Sequence, residues 1–406
     1  MDHGPLARSA GDLSLSAVDF QRLDALFHQA LDLPEAERLA FVERECDDDA
    51  LRAELVAMLD AVADEAVVDR ALDGIVIAGA CLPENEVGDT VAPAAGLDGE
   101  VIDRIGPYRI LEEIGRGGLA TVYLADRDDD EFSRKVALKL IRRGMDTDDL
   151  LERLRLERQI LANLDHPNIA RLYDGGTAPD GRPYFVMEAI FGQRVDTWCA
   201  SRQLPLDRRL DLFRKICAAV HFAHQNLVLH RDLKPSNIMV TEGGEPKLLD
   251  FGIAKLLTPG SVSDGRTAPL ADVPTITEPG KRLLTPEFAS PEQIRAEPLT
   301  TASDVYSLGI VLYLLVTGER PYTFDRRRPA EIERIVCEQE PPKPSRVLQV
   351  GDHRGAPDWR PAAGGDDLDN IVLMALHKDS TRRYASAAEL AEDIARYQSQ
   401  QTVKAR

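Results

Sequence analysis

Between Tyr108 and Ile141 the chain reads three times in the same register, as YRILEEIG, TVYLAD and KVALKLI. Alternating and β-branched residues of this kind make half-buried strands, so the three stretches are expected as antiparallel neighbours. Two further strands are expected near Ile169–Tyr173 and Tyr184–Glu188, after a long helix over Asp148–Leu164. Beyond about residue 195 the pattern turns helical, with a core helix over the apolar run Val305–Val316. Strands gathered first and helices gathered afterwards imply an α+β chain: a small β-rich lobe followed by a larger helical one.

The flanks read differently. Leu23, Leu26, Phe27, Ala30 and Leu31 recur at helical spacing, Pro34 suits the first turn of a second helix, and Leu51, Leu55, Met58, Leu59 and Val62 share one face. Residues 1–78 are therefore expected as a small helical module that packs on a partner. Periodicity is lost over 79–105, where Gly, Pro and acidic residues accumulate, and this segment is expected to be a flexible acidic linker. The main domain is placed at 106–398, with a tail at 399–406. Residues 258–281 and 338–367 are rich in turn formers and are expected as loops.

Bulk properties narrow the function. A formal net charge of −20 disfavours general binding to nucleic acid or to an anionic membrane surface, both of which reward basic patches. Cys46, Cys81, Cys199, Cys217 and Cys337 are scattered, without metal-binding or disulfide spacing, which fits a reducing, cytoplasmic setting. The first residues lack the apolar stretch of a secretory signal, and the run at Val305–Val316 is too short to span a bilayer.

Four motifs carry chemistry. In Ile114-Gly-Arg-Gly-Gly-Leu-Ala-Thr-Val-Tyr123, Gly115, Gly117 and Gly118 lie between two strands, so backbone N–H groups can approach phosphate oxygens. A strand follows instead of a helix, which argues against a dinucleotide fingerprint. Lys139, in Val136-Ala-Leu-Lys139, points into the lobe or sits at an edge, and Glu157 on the following helix is the carboxylate that would aim it. The stretch VLHRDLKPSNIMV, Val228–Val240, sets His, Arg, Asp, Lys and Asn between apolar flanks. There Asp232 can accept a proton from a hydroxyl, Lys234 can offset charge on a phosphoryl group, and Asn237 offers a hard oxygen ligand. Asp250, in KLLDFG, supplies a second carboxylate at the end of a short apolar strand.

Taken together these motifs resemble the signature set of the bacterial eukaryotic-like serine/threonine protein kinases, over about Tyr108 to Tyr397. The resemblance implies a bilobal fold that binds ATP with Mg²⁺ or Mn²⁺. Ile114, Gly115, Arg116, Gly117, Gly118, Val122 and Ala137 would surround the nucleotide. Lys139 would hold the phosphates and pair with Glu157, while Asp232 would be the catalytic base and Asn237 and Asp250 the metal ligands. Glu188 and Ile190 would form the adenine-binding hinge beside Met187. Glu292, in LTPEFASPE, would pair with Arg383, and Asp304 would brace the catalytic loop. Lys234 and Thr285 imply serine or threonine as acceptor in protein substrates, and Arg231 implies control by a phosphate on the loop 258–281. There Thr267, Thr275 and Thr277 are the candidates, ahead of Ser261 and Ser263. Ala120 stands where the family has its third loop glycine, and its methyl is expected to restrict that backbone. A long segment ending in Pro-Glu argues against a small-molecule kinase, and the retained Lys139, Asp232, Asn237 and Asp250 argue against a nucleotide-binding scaffold without transferase activity.

Overall fold

A computed structural model describes residues 102–116, 120–129, 132–141, 164–251, 286–324, 329–349, 356–357, 359 and 367–406, with eight positions scattered over 26–56. The chain divides into two units, Met1–Gly74 and Ile75–Arg406. In the first, the described positions are helical and Leu26, Ala30, Phe41 and Val42 are buried. The expected helix over Asp148–Leu164, save Leu164 itself, lies outside the described residues, as do Gly117, Gly118, Glu157, Thr285 and the loop 258–281.

The second unit opens with an antiparallel sheet of six strands: β1 (Arg104–Ile105), β2 (Tyr108–Arg116), β3 (Ala120–Asp129), β4 (Phe132–Ile141), β5 (Leu172–Thr177) and β6 (Pro183–Glu188). The order is β1-β2-β3-β4-β6-β5. Tyr108, Ile110, Tyr123, Val136, Leu138, Leu140, Tyr184 and Val186 close a core on one side. Phe185, Ile141 and Ala120 belong to the larger core of the helical lobe. The neighbours Tyr184 and Phe185 thus serve different cores, as the period-two geometry of a strand requires. Ala120 is 5 % exposed, so its methyl is packed inside rather than projecting from the hairpin.

Two expectations on this lobe need correction. The last two residues of the expected linker form β1, and Ile105 is 1 % exposed, so the β-rich lobe begins before Tyr108. The strand expected at Ile169–Tyr173 starts three residues later, because 168–170 bonds elsewhere. Leu248 N–H donates to Asn168 O at 2.8 Å and Ala170 N–H to Leu248 O at 2.9 Å. A third, side-chain bond runs from Asn168 Nδ2 to Pro246 O at 2.8 Å. A backbone already bonded in this way cannot also extend the ladder.

The helical lobe follows. A small sheet of β7 (Gly192–Arg194), β8 (Ile238–Thr241) and β9 (Pro246–Leu248) sits with α1 (Val195–Ser201) and α2 (Leu206–Gln225). Gly192 is required there, since a Cβ would lie 2.2 Å from Val240 O. The lobe continues with α3 (Pro291–Arg295), α4 (Thr301–Thr317), α5 (Pro329–Glu338), α6 (Pro344–Val347), α7 (Asp367–Ala375) and α8 (Ala387–Gln398). α4 is buried almost all round, with Val305, Leu308, Val311, Leu312 and Val316 at 0 % exposure, as expected of a core helix. Gly309 lets it approach α7, because a Cβ there would stand 3.0 Å from Ala375 Cβ.

Two more differences concern expected loops. α6 interrupts 338–367, where Ser345 N–H and Oγ both bond to the buried carboxylate of Asp369. The tail is docked: Val403 and Ala405 are buried, and the N–H groups of Lys404 and Ala405 donate to Asp393 at 2.6 and 3.0 Å. No helix among the described residues is long and apolar enough to cross a membrane.

Candidate active site

Strand register sets the roof of the cleft. Gly115 faces Val122 across β2 and β3, and Val122 faces Lys139 across β3 and β4. Ala137, two residues before Lys139, shares its face of the strand. Ala137 faces Met187 on β6, the last residue but one before the connection to the helical lobe. Ile114 lies within a register shift of β2, and Arg116 is held by two bonds to Glu113, at 2.7 and 2.6 Å. Behind Met187 an apolar pocket is lined by Leu164, Ile169, Leu172, Asp250 and Phe251.

The loop that carries Asp232 is set from below by α4. Asp304 is 2 % exposed and accepts three hydrogen bonds: from His230 N–H at 2.8 Å, from Arg231 N–H at 2.9 Å and from His224 Nε2 at 2.8 Å. Burial alone would raise the Asp304 carboxyl, yet the bond and charge of His224 and the charge of His230 hold it below the usual carboxylate range. His230 is fully buried, bonds through Nε2 to Leu249 O at 2.8 Å and packs on Phe251. Burial keeps its imidazole below the ordinary value. Leu233 and Ile238 anchor the loop in the core, at 1 % and 0 % exposure.

Two residues of the site have left-handed backbones, Arg231 with φ +65° and Asp250 with φ +42°. Such conformations cost about 1–3 kcal/mol each and persist where neighbours over-determine them. Asp304 does so for Arg231. Asp250 is held by Lys139, whose Nζ lies 2.9 Å from its Oδ1.

The carboxylate of Asp232 gathers its neighbours. Asn237 Nδ2 donates to Asp232 O at 2.8 Å and to Asp232 Oδ2 at 3.1 Å, and Lys234 Nζ lies 3.4 Å from the same oxygen. Because the amide nitrogen of Asn237 faces Asp232, its oxygen is the atom left for a cation. Asn237 and Asp250 make an all-oxygen pair, the donor set suited to a Mg²⁺ that keeps water and phosphate ligands as well.

The structure thus brings together Lys139, Asp232, Lys234, Asn237 and Asp250. The expected partner of Lys139, Glu157, lies outside the described residues, and within them Lys139 pairs with Asp250. Glu188 is tied more firmly than its sequence position implied. Its N–H donates to Arg171 O at 2.8 Å, and Lys247 Nζ on β9 bonds both carboxylate oxygens, at 2.9 and 3.0 Å. Ala189 and Ile190 follow it in the connection between the lobes. Glu292 pairs with Arg383 at 2.8 Å, both side chains being buried. Sequence reasoning missed Lys247, His224 and Gln293, whose side chains support the site from a strand and two helices; no local pattern marks them.

Comparison with known proteins agrees with this arrangement. The model of the protein kinase domain matches residues 108–394. The serine/threonine-protein kinase PknB of Mycobacterium leprae is 34 % identical over 73 % of this chain and 44 % of its own length. PrkC of Bacillus subtilis is 36 % identical over 71 % of this chain and 40 % of its own. The chain therefore spans less than half the length of these curated relatives. Among solved structures, the kinase domain of Mycobacterium tuberculosis PknI superposes with a TM-score of 0.52 at 23 % identity, over 73 % of this chain and 97 % of that one, and so supports the fold. With its two lobes, its lysine–aspartate pair across the cleft and a family match over most of its length, the chain belongs to the protein kinase family, with bacterial serine/threonine kinases as its relatives.

Proposed function

We propose that the protein transfers the γ-phosphoryl group of ATP to serine or threonine hydroxyls of proteins, and that it acts in cytoplasmic signal transduction. The observation that carries this is the cluster around Asp232, with Asn237 at 3.1 Å and Lys234 at 3.4 Å from one carboxylate oxygen. Asp232 takes the proton of the acceptor hydroxyl as its oxygen attacks the γ-phosphorus. The bond from that phosphorus to the β–γ bridging oxygen breaks, and ADP leaves. Lys234 offsets charge on the transferring group, and Lys139 orients the phosphates while Asp250 fixes its aim. Ile114, Gly115, Arg116, Gly117, Gly118, Val122 and Ala137 cover the nucleotide, and the backbone of Glu188 and Ile190 receives the adenine. Asn237 and Asp250 would hold Mg²⁺, or Mn²⁺, which when bound would supply positive charge to offset that of the phosphate oxygens. The cytoplasmic setting is supported by Cys199, Cys217 and Cys337, which are buried free thiols. A phosphate in the loop 258–281, on Thr267, Thr275 or Thr277, would pair with Arg231, and the helices of 1–78 would dock a regulatory partner.

The test is transfer of labelled γ-phosphate, with Mg²⁺ and with Mn²⁺, to the protein and to a generic basic protein, beside Asp232→Asn. Label on serine or threonine in the wild type alone is expected. Nucleotide binding without transfer in the wild type would overturn the reading.

A further inference from the structure

The peptide unit joining Arg231 to Asp232 carries the proposed base, and both of its polar atoms are engaged. Its carbonyl oxygen accepts from Gln293 Nε2 at 2.7 Å, and its N–H faces His230 Nδ1 at 3.3 Å. Gln293 is on α3, in a different stretch of chain, and is 9 % exposed. Its carboxamide cannot turn round, because Oε1 accepts the backbone N–H of Ser290 at 3.0 Å. Ser290 in turn caps α3, its Oγ accepting from Gln293 N–H at 3.4 Å. One side chain therefore spans from the start of α3 to the carbonyl beside Asp232.

We propose that Gln293 is a positioning residue for phosphoryl transfer, which ties the seating of residues 286–290 to the aim of the Asp232 carboxylate. The proposal rests on the reading of Asp232 as the base. Residues 286–288 form a short turn held by Ser307 Oγ donating to Phe288 O at 2.9 Å, and Ala289 joins it to Ser290. If this segment shifts, Ser290 N–H leaves the Gln293 oxygen and the amide is free to rotate off Arg231 O. That carbonyl then loses the Gln293 hydrogen bond in a part-buried site, and a left-handed residue loses one of its restraints. Rotation of this peptide swings the Cα–Cβ bond of Asp232, and a misplacement of about 1 Å can cost on the order of a hundredfold in rate. The nucleotide side is held by other bonds, chiefly that between Lys139 and Asp250. The coupling therefore acts on turnover and not on ATP affinity.

The experiment compares wild type, Gln293→Glu, Gln293→Met and Asp232→Asn. Glutamate keeps the acceptor for Ser290 but sets an oxygen against Arg231 O; methionine removes both bonds at similar volume. The readouts are kcat on a peptide substrate, KM for ATP, and the folded fraction at assay temperature. Expected are kcat values lowered about tenfold to a hundredfold per folded molecule in both Gln293 variants, with KM for ATP within about twofold of wild type. A kcat per folded molecule within about twofold of wild type in either variant would overturn the proposal, as would parallel loss of kcat and ATP affinity. An inactive wild type would instead overturn the kinase reading.

Discussion

Lys139 Nζ lies 2.9 Å from Asp250 Oδ1, so one ion pair joins strand β4 of the sheet lobe to the residue two places after β9 in the helical lobe. Its side chains are 14 % and 32 % exposed, at the mouth of the cleft and not inside a core. In a partly buried pair of this kind the cost of desolvating both charges offsets most of their attraction, so it adds little net stability. Its effect is to aim a cation and to hold Asp250 in its left-handed conformation. Lys139→Met is therefore expected to leave the unfolding midpoint within about 1 kcal/mol of wild type and to lower kcat by about a hundredfold or more. Denaturant titration beside a transfer assay checks both halves. A large loss of stability with activity retained would refute this account.

Acid should destabilise the protein from near neutrality. His230 is buried with its imidazole held below the ordinary value by burial, so the unfolded chain takes its proton first. Stability then falls as pH drops below about 6.5, by up to about 1.4 kcal/mol per pH unit for each such proton. Asp304 acts lower down. Its folded carboxyl lies below its unfolded value, so its contribution is complete above about pH 4 and is lost as pH falls through the folded value. Denaturant midpoints between pH 8 and pH 4 are expected to show the first slope, and His230→Gln to make it shallower. A midpoint independent of pH between 7 and 5 would contradict the burial of a neutral imidazole.

Arg209 is a fully buried cation bonded, among the described residues, to three carbonyls: Leu204 O at 2.9 Å, Leu315 O at 3.0 Å and Cys199 O at 3.2 Å. Cys199 lies near the C-terminal end of α1 and Leu315 near that of α4. Helix ends of this polarity attract cations, and a planar guanidinium reaches three directions at once. Burial still presses its pKa down. Arg209→Met is expected to cost about 3–5 kcal/mol, because three buried carbonyls lose their donors together. Arg209→Lys should recover only part. Chemical denaturation measures both, and activity per folded molecule should be unchanged.

The fold was legible where periodicity and chemistry coincide in a short span. YRILEEIG, TVYLAD and KVALKLI sit in β2, β3 and β4, and the apolar run Val305–Val316 lies within α4. The partners Glu292 and Arg383 could be paired only through the family resemblance, since no local pattern at either position marks the contact. Where the chain was misread, a non-local bond had overridden a local signal. Ile169 looks like a strand residue, but its neighbours bond to Leu248. Lys247, His224 and Gln293 read as ordinary polar residues of a strand and two helices. Their partners Glu188, Asp304 and Arg231 lie 59, 80 and 62 positions away.

Residues 399–406 illustrate the same limit, for nothing in QTVKAR announces that it is docked. Asp393 on α8 has no exposed surface, and its Oδ2 accepts from Tyr384 Oη at 2.8 Å and from Ala405 N–H at 3.0 Å. Its Oδ1 accepts from Lys404 N–H at 2.6 Å and from Arg396 Nη1 at 3.3 Å. Burial raises the carboxyl, but these donors, led by Lys404 N–H and the Tyr384 hydroxyl, bring it below the ordinary range. Asp393→Asn replaces one acceptor oxygen with an N–H₂ that opposes donors, leaving at least one buried group without a partner. The expected cost is about 1–3 kcal/mol, with faster proteolysis after Gln398 as Val403 and Ala405 leave their pockets. Limited proteolysis followed by mass analysis reads this directly. Equal cleavage rates for wild type and variant would show that Val403 and Ala405 hold the segment without the carboxylate.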